Sequence, residues 1–182
     1  FRSPLTMVKA YAEMVRDLSG DNPIKREEHI NIIIDESNRL SGLVNDILDL
    51  SKIESGNQEL NITSFSITQK LNEVLDRYKL LSEQKGYIFE FEQDEDINVL
   101  GDVIKIEQVI YNLINNAVNY TGQDKKVIIR QKNLENIVRI EISDTGNGIP
   151  SEMLPMIFDR YYRSEKSKRE VIGTGLGLSI VK

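Results

Sequence analysis

A chain of 182 residues with 40% hydrophobic and 29% charged residues has the composition of a soluble globular protein and the length for one or two domains. Its formal charge of -6, from 23 Lys and Arg against 29 Asp and Glu, argues against nucleic acid as a partner, because phosphate backbones are bound through clustered cations. The absence of cysteine excludes disulfides and thiolate chemistry, and no apolar run reaches the roughly 18 residues that span a bilayer, so no membrane contact is expected of this segment.

Between residues 4 and 19, Leu5, Val8, Ala12, Val15 and Leu18 recur at the spacing of an amphipathic helix, with Pro4 near its start. Ser19, Gly20, Asp21, Asn22 and Pro23 supply turn chemistry. A second helical pattern then runs over residues 25–54, with Ile30, Ile33, Ser37, Leu40, Val44 and Ile47 tracing a heptad seam. Two such helices form an antiparallel hairpin whose apolar stripes call for a second hairpin, so a homodimer through residues 5–54, closing a four-helix bundle, is predicted. The alternative is a hairpin packed on the rest of its own chain.

Ser55, Gly56 and Asn57 end the long helix, and residues 55–63 read as a linker between a hairpin domain, 1–54, and a second domain, 64–182. There a helix is predicted over 66–84, stopped by Gly86, with strands at 87–92, 127–131 and 138–142, the last two forming a hairpin. A further helix over 102–119 turns Ile106, Val109, Ile110, Leu113, Ile114 and Ala117 toward a core. The predicted fold class is α+β, a helical hairpin followed by a two-layer α/β sandwich with one sheet covered by helices on one side.

Three stretches carry chemistry. Asn112, Asn116 and Asn119 share one face of the 102–119 helix, although Asn weakens helices. Amide oxygens suit Mg²⁺ and amide NH₂ groups suit phosphate, but a solvated face is the plain alternative. Asp144, Thr145, Gly146, Asn147, Gly148 and Ile149 follow a strand, where a carboxylate can accept from an exocyclic amine; alone, such a stretch is equally a turn. Gly173, Gly175 and Gly177 precede the apolar stretch from Leu178 to Val181, as in loops that offer backbone N–H groups to phosphate. This loop fits neither the dinucleotide-binding fingerprint nor the P-loop.

In this order the stretches resemble the nucleotide-binding domain of the sensor histidine kinases of two-component signalling. Residues 112–121 look like the N box, 144–149 the G1 box, 157–163 the F box and 173–178 the G2 box, and residues 1–6 resemble the end of the H box. The resemblance implies ATP and Mg²⁺ as cofactors, with Asn116 as metal ligand and Asn112 beside the phosphates. It implies Tyr120 near the adenine, Asp144 accepting from its amino group, and Gly146, Gly148, Ile149, Gly173, Gly175, Gly177 and Leu178 lining the pocket. A lid from about residue 159 to 172 is implied to bring cations to the triphosphate, Arg163 first among them, with Arg160, Lys166, Lys168 and Arg169 nearby.

Gyrase-type ATPases of similar fold carry a Glu base where Asn112 stands here, and an amide is a poor proton acceptor, which favours a kinase over an ATPase. A dimer module that has lost nucleotide binding is the remaining alternative. The implied acceptor His lies two residues before Phe1, and the sole histidine, His29, reads as a solvated surface residue. Ser3 stands where relatives carry a Thr or Asn associated with dephosphorylating the response regulator, whose receiver domain is the implied partner. Asn119 replaces a frequent Lys, and the sheet is expected to be incomplete at Lys182. The implied location is cytoplasmic, with a parent protein that can be anchored in the plasma membrane.

Overall fold

The structure is a computed structural model that describes residues 2–19, 22–54, 59–159 and 176–181, without the side chains of Arg2, Ser3, Leu50, Ile53 and Glu54. The chain divides into two compact units, Phe1–Gly56 and Asn57–Lys182.

The first unit is a hairpin of α1, Arg2–Asp17, and α2, Pro23–Glu54. The turn begins where the backbone N–H groups of Leu18 and Ser19 both donate to the Met14 carbonyl at 3.0 Å, and it ends where Asn22 Oδ1 caps α2 by accepting from Lys25 N at 3.1 Å. Ser19 is buried, and its hydroxyl lies 3.0 Å from the Met14 carbonyl and 2.8 Å from His29 Nδ1. The His29 ring packs on Tyr11 with centroids 5.4 Å apart. His29 is therefore a half-buried hairpin residue and not the solvated one that its acidic neighbours suggest. Leu5, Leu18, Ile24, Ile34 and Leu48 remain at least half exposed on the unit.

In the second unit, β1 (Ile62–Ser66) and β3 (Asn98–Asp102) form a two-stranded antiparallel sheet, with Phe65 opposite Val99. A separate sheet has the order β2-β4-β5, with β2 (Ile88–Gln93) parallel to β4 (Lys126–Asn133) and β5 (Val138–Asp144) antiparallel to it. Two sheets thus replace the single sheet expected. The predicted β4–β5 hairpin is present, closed by Leu134 N donating to the Ile137 carbonyl at 2.9 Å.

Alternation decides the faces of the larger sheet. Phe89, Phe91, Val127, Ile129, Ile140 and Ile142 join the core, where α3 (Ile67–Asp76) contributes Ile67, Leu71 and Val74 and α5 (Val103–Tyr120) contributes Ile110, Ile114 and Ala117. The other face carries ion pairs, Lys126 to Glu90 at 2.8 Å and Arg130 to Glu92 at 2.7 Å.

The single helix expected over 66–84 is broken into α3 and α4 (Lys79–Lys85). The last turn of α3 tightens to bonds from Arg77 N to the Val74 carbonyl and from Tyr78 N to the Leu75 carbonyl. The break turns Tyr78 into the core, where its hydroxyl donates to Asn115 Oδ1 at 2.8 Å and burial pushes the phenol well above its ordinary pKa. Gly86 ends α4 in the left-handed conformation, as expected of that residue.

Among the described residues of this unit, two buried polar side chains, Thr68 and Gln131, meet in the core. Gln131 accepts from the Thr68 hydroxyl at 2.7 Å and donates to the Glu95 carbonyl at 3.2 Å and to Asn133 Oδ1 at 3.1 Å, so its amide is satisfied on both ends.

Candidate functional site

Helix α5 is the spine of the site. Asp102 caps it, its Oδ1 accepting from Ile104 N and Lys105 N at 3.1 Å each and its Oδ2 from Asn61 N at 3.0 Å. These N–H groups, that of Lys105 foremost, hold the Asp102 carboxyl below the usual carboxylate range. Because Ile110, Ile114 and Ala117 face the core, the helical period sets Asn112, Asn116 and Asn119 on the opposite side, where all three are part-buried. Asn115, one position away, is taken by Tyr78.

Asn112 carries the feature that a packed helix alone does not explain. Its Nδ2 is buried and finds no hydrogen-bond partner among the described residues. A buried amide left unpaired costs about 1–3 kcal/mol, so a solvated-face reading does not fit this residue. Gly177 opens the short helix α6, Gly177–Val181, and lies against that amide; a Cβ built there would stand 3.7 Å from Asn112 Oδ1. The N-box amide and the described end of the glycine-rich stretch are thus brought together through packing of α6, whose Ile180 and preceding Leu176 are buried.

Asp144 ends β5 opposite Val127, so the sheet delivers its carboxylate to the end of the strand pair. Its Oδ1 accepts from Gly146 N at 2.8 Å, which bends the chain into a tight turn over the end of α5. A Cβ on Gly146 would lie 2.0 Å from the Tyr120 carbonyl oxygen, so only glycine fits. Tyr120, at the last position of α5, is 40% exposed, and Ile149 stands exposed beyond the turn. Gly148 adopts a φ of +70° there.

The structure therefore joins Asp144, Gly146 and Tyr120 in one cluster, and Asn112 with Gly177 in another, on the same helix. Arg163, Gly173 and Gly175 lie outside the described residues, as does the side chain of Ser3. Of the F box, residues 157–159 are described, after a 3₁₀ turn at Leu154–Met156. Sequence reasoning missed Gly122, Asp124 and the hydroxyls of Thr121 and Thr145, which tie the end of α5 to the Asp144 turn. The Gly122, Gln123, Asp124 run between helix and strand was the available signal, as turn chemistry.

Comparison with known proteins gives the fold a family. Residues 1–56 match the His Kinase A (phospho-acceptor) domain, and residues 101–182 match the histidine kinase-, DNA gyrase B- and HSP90-like ATPase family. The catalytic domain of the histidine kinase ThkA is 31% identical, over 68% of this chain and 77% of that one, with a TM-score of 0.58. The chain belongs to the sensor histidine kinases. Drug sensory protein A of Synechocystis is 37% identical and the sensor histidine kinase WalK of Bacillus subtilis 33% identical, each over 100% of this chain. The chain spans only 29% and 30% of the length of these two relatives. ThkA in complex with the response regulator protein TrrA is 29% identical, over 89% of this chain and 47% of that one, with a TM-score of 0.75. The described residues hold the whole of the stretches that resemble the N box and the G1 box, together with the last three residues, Leu176, Gly177 and Leu178, of the one that resembles the G2 box.

Proposed function

We propose that this chain is the catalytic core of a sensor histidine kinase, which binds Mg-ATP and moves the γ-phosphoryl group to a histidine, from which an aspartate of a response regulator takes it. The observation that carries the reading is the Nδ2 of Asn112, a buried donor that finds no acceptor among the described residues and lies beside Gly177, on the helix that also presents Asn116. A phosphate oxygen is the acceptor such a donor calls for.

In this reading Asp144 uses Oδ1 to hold its own turn and has its second oxygen for the adenine amine. Tyr120 offers an exposed ring to the base, and Gly146, Gly148 and Ile149 line its edge. The Asn116 amide, part-buried on the same face as Asn112, is the proposed Mg²⁺ ligand from the protein, its oxygen joining those of the phosphates and water. When bound, Mg²⁺ supplies charge neutralisation at the phosphoryl oxygens. Arg163, Gly173, Gly175 and Leu178 are proposed for the triphosphate side, and Ser3 for phosphate removal. With an amide at position 112, where gyrase-type ATPases carry a Glu base, water activation is poor, so bound ATP waits for a nucleophile.

His29 is not proposed as that nucleophile; its place is in the hairpin turn, half-buried, with Nδ1 2.8 Å from the Ser19 hydroxyl and its ring tilted against Tyr11. The acceptor is proposed to precede Phe1 in the parent chain. The exposed apolar residues of the hairpin support a homodimer through residues 5–54 in a four-helix bundle; the linker expected over 55–63 is proposed to end before β1, so that the ATP-binding domain includes Ile62 and Thr63. Among the described residues no helix is long and apolar enough to cross a membrane.

The test is to incubate the parent protein with γ-labelled ATP and Mg²⁺. Acid-labile, alkali-stable phosphate on the protein is expected, retained in His29→Ala and abolished in Asn116→Asp. Steady release of inorganic phosphate with no labelled protein overturns the reading in favour of an ATPase.

A further inference from the structure

The end of α5 and the Asp144 turn meet through two reciprocal close approaches, of which that of Gly122 belongs to none of the stretches singled out in the sequence. Gly146 rests on the Tyr120 carbonyl, and in return Gly122 rests on the Thr145 carbonyl: a Cβ on Gly122 would stand 2.7 Å from that oxygen and 3.3 Å from Asp124 Oδ1. Unlike Gly148, Gly122 does not take a positive φ, so its lack of a side chain answers to the space against Thr145 and Asp124.

Hydroxyls finish the joint. Thr121 Oγ1 donates to the Lys126 carbonyl at 2.8 Å and lies 3.0 Å from Thr145 Oγ1. Thr145 donates to Asp124 Oδ1 in a short contact, and Gly122 N approaches Thr145 Oγ1 at 3.4 Å. The residue after Asp144 is therefore gripped from the side of α5 by Thr121, Gly122 and Asp124. The turn that bears Asp144 and the helix that carries Asn112 and Asn116 are thereby tied together, though they belong to elements more than twenty residues apart.

We propose that Gly122 and Thr145, braced by Asp124, are positioning residues that set the Asp144 carboxylate at the height of the adenine amine and so determine base selectivity. This rests on the nucleotide-site reading above. Neither Gly122 nor Thr145 needs to touch the ligand. Their effect passes through Asp144, because a turn pushed off the end of α5 carries its carboxylate away from the amine while leaving the phosphate side, at Asn112 and Gly177, in place. Recognition by such a group is sensitive to displacement, since a hydrogen bond needs its donor and acceptor within about 3.2 Å.

The test compares ATP with inosine triphosphate, which has a ring oxygen substituent where ATP has the amine, by calorimetric titration of the protein with Mg²⁺. Unaltered protein is expected to favour ATP by about tenfold or more, the worth of one hydrogen bond to a charged group. Gly122→Ala and Thr145→Val are expected to bring the ratio to within about threefold of unity, chiefly by weakening ATP, while Thr145→Ser, which keeps the hydroxyl, restores the preference. A merely stabilising role would lower the unfolding midpoint and leave the ratio alone. If Gly122→Ala does not fold, the Val and Ser variants at position 145 decide by themselves. An unchanged preference in a folded Thr145→Val overturns the proposal and leaves the nucleotide site standing. Unaltered, folded protein that binds neither nucleotide overturns the site reading itself, and this proposal with it.

Discussion

Two glycines of the site make a paired experiment, Gly146→Ala and Gly177→Ala. An alanine Cβ at 146 would sit 2.0 Å from the Tyr120 carbonyl oxygen, 3.0 Å from its carbonyl carbon and 2.8 Å from Asp144 Oδ1. A carbon and a carbonyl oxygen meet at roughly 3.3 Å, so the turn and the end of α5 have to part by about 1 Å or more. Two of the three neighbours are backbone, which cannot swing aside as a side-chain tip can. The expected cost is about 1–3 kcal/mol of stability, the range for overpacking in well-packed regions. Displacing Asp144 is expected to weaken ATP by about tenfold further, the worth of one charge-assisted hydrogen bond. At Gly177 the added carbon would meet Asn112 Oδ1 at 3.7 Å, an ordinary contact, so stability is expected to stay within about 0.5 kcal/mol of the unaltered protein. Urea unfolding of both variants, with ATP titration of the first, reads these effects. A Gly146→Ala protein with unchanged midpoint and slope would refute the reasoning, because the turn could not then be seated on Tyr120.

Further expectations concern the frame that holds the site. Thr68→Val removes the hydroxyl that serves the buried Gln131 oxygen and is expected to cost about 1–3 kcal/mol by urea unfolding, with little effect on nucleotide affinity. Glu107 accepts from Lys70 Nζ at 3.1 Å and from Arg77 Nη2; the Lys70 ammonium first, and then the Arg77 guanidinium, hold its carboxyl below the usual range against the opposing effect of burial. A depressed folded pKa gives stability that is present above the unfolded value, near pH 4.3, and is lost as pH falls through the folded one. Glu107→Gln is therefore expected to be less stable than the unaltered protein at pH 7, by at most about 1 kcal/mol, with the gap closing below about pH 4. Urea midpoints measured at both pH values check the sign.

Long amphipathic patterns were legible because one physical rule governs many residues. The seam through Ile30, Ile33 and Leu40 and the core stripe of Ile110, Ile114 and Ala117 each repeat at the helical period, and both are helices in the structure. The β4–β5 hairpin was legible for the same reason, through alternation about a polar loop. The strands β1 and β3 were not read. Each is five residues long and pairs only with the other, and Gly101 and Asp102 look like turn residues until Phe65 is known to pack near Gly101. The break at Tyr78 escaped as well, since Ile67 to Leu81 keeps helical spacing; what breaks it is a tertiary demand, the burial of a phenol with Asn115 waiting for its hydroxyl.

The site was legible to different depths. Asn112 stood out as an amide where helices disfavour one, and the structure adds what periodicity could not, a donor buried without a partner. Asp144 and Gly146 were legible as a turn after a strand, but the reason for glycine lies in Tyr120, twenty-six residues earlier in the chain and adjacent in space. Gly122 and Thr145 were illegible for that same reason. A close approach between two loops leaves no periodic trace in either.

The central claim is that the helix bearing Asn112 and Asn116 and the turn bearing Asp144 bind ATP with Mg²⁺. Calorimetric titration of the folded protein with a non-hydrolysable ATP analogue and Mg²⁺ tests it most directly. The expected result is saturable binding at one site per chain, weakened about tenfold or more by Asp144→Asn. Absence of measurable heat from a protein that still unfolds cooperatively would contradict it.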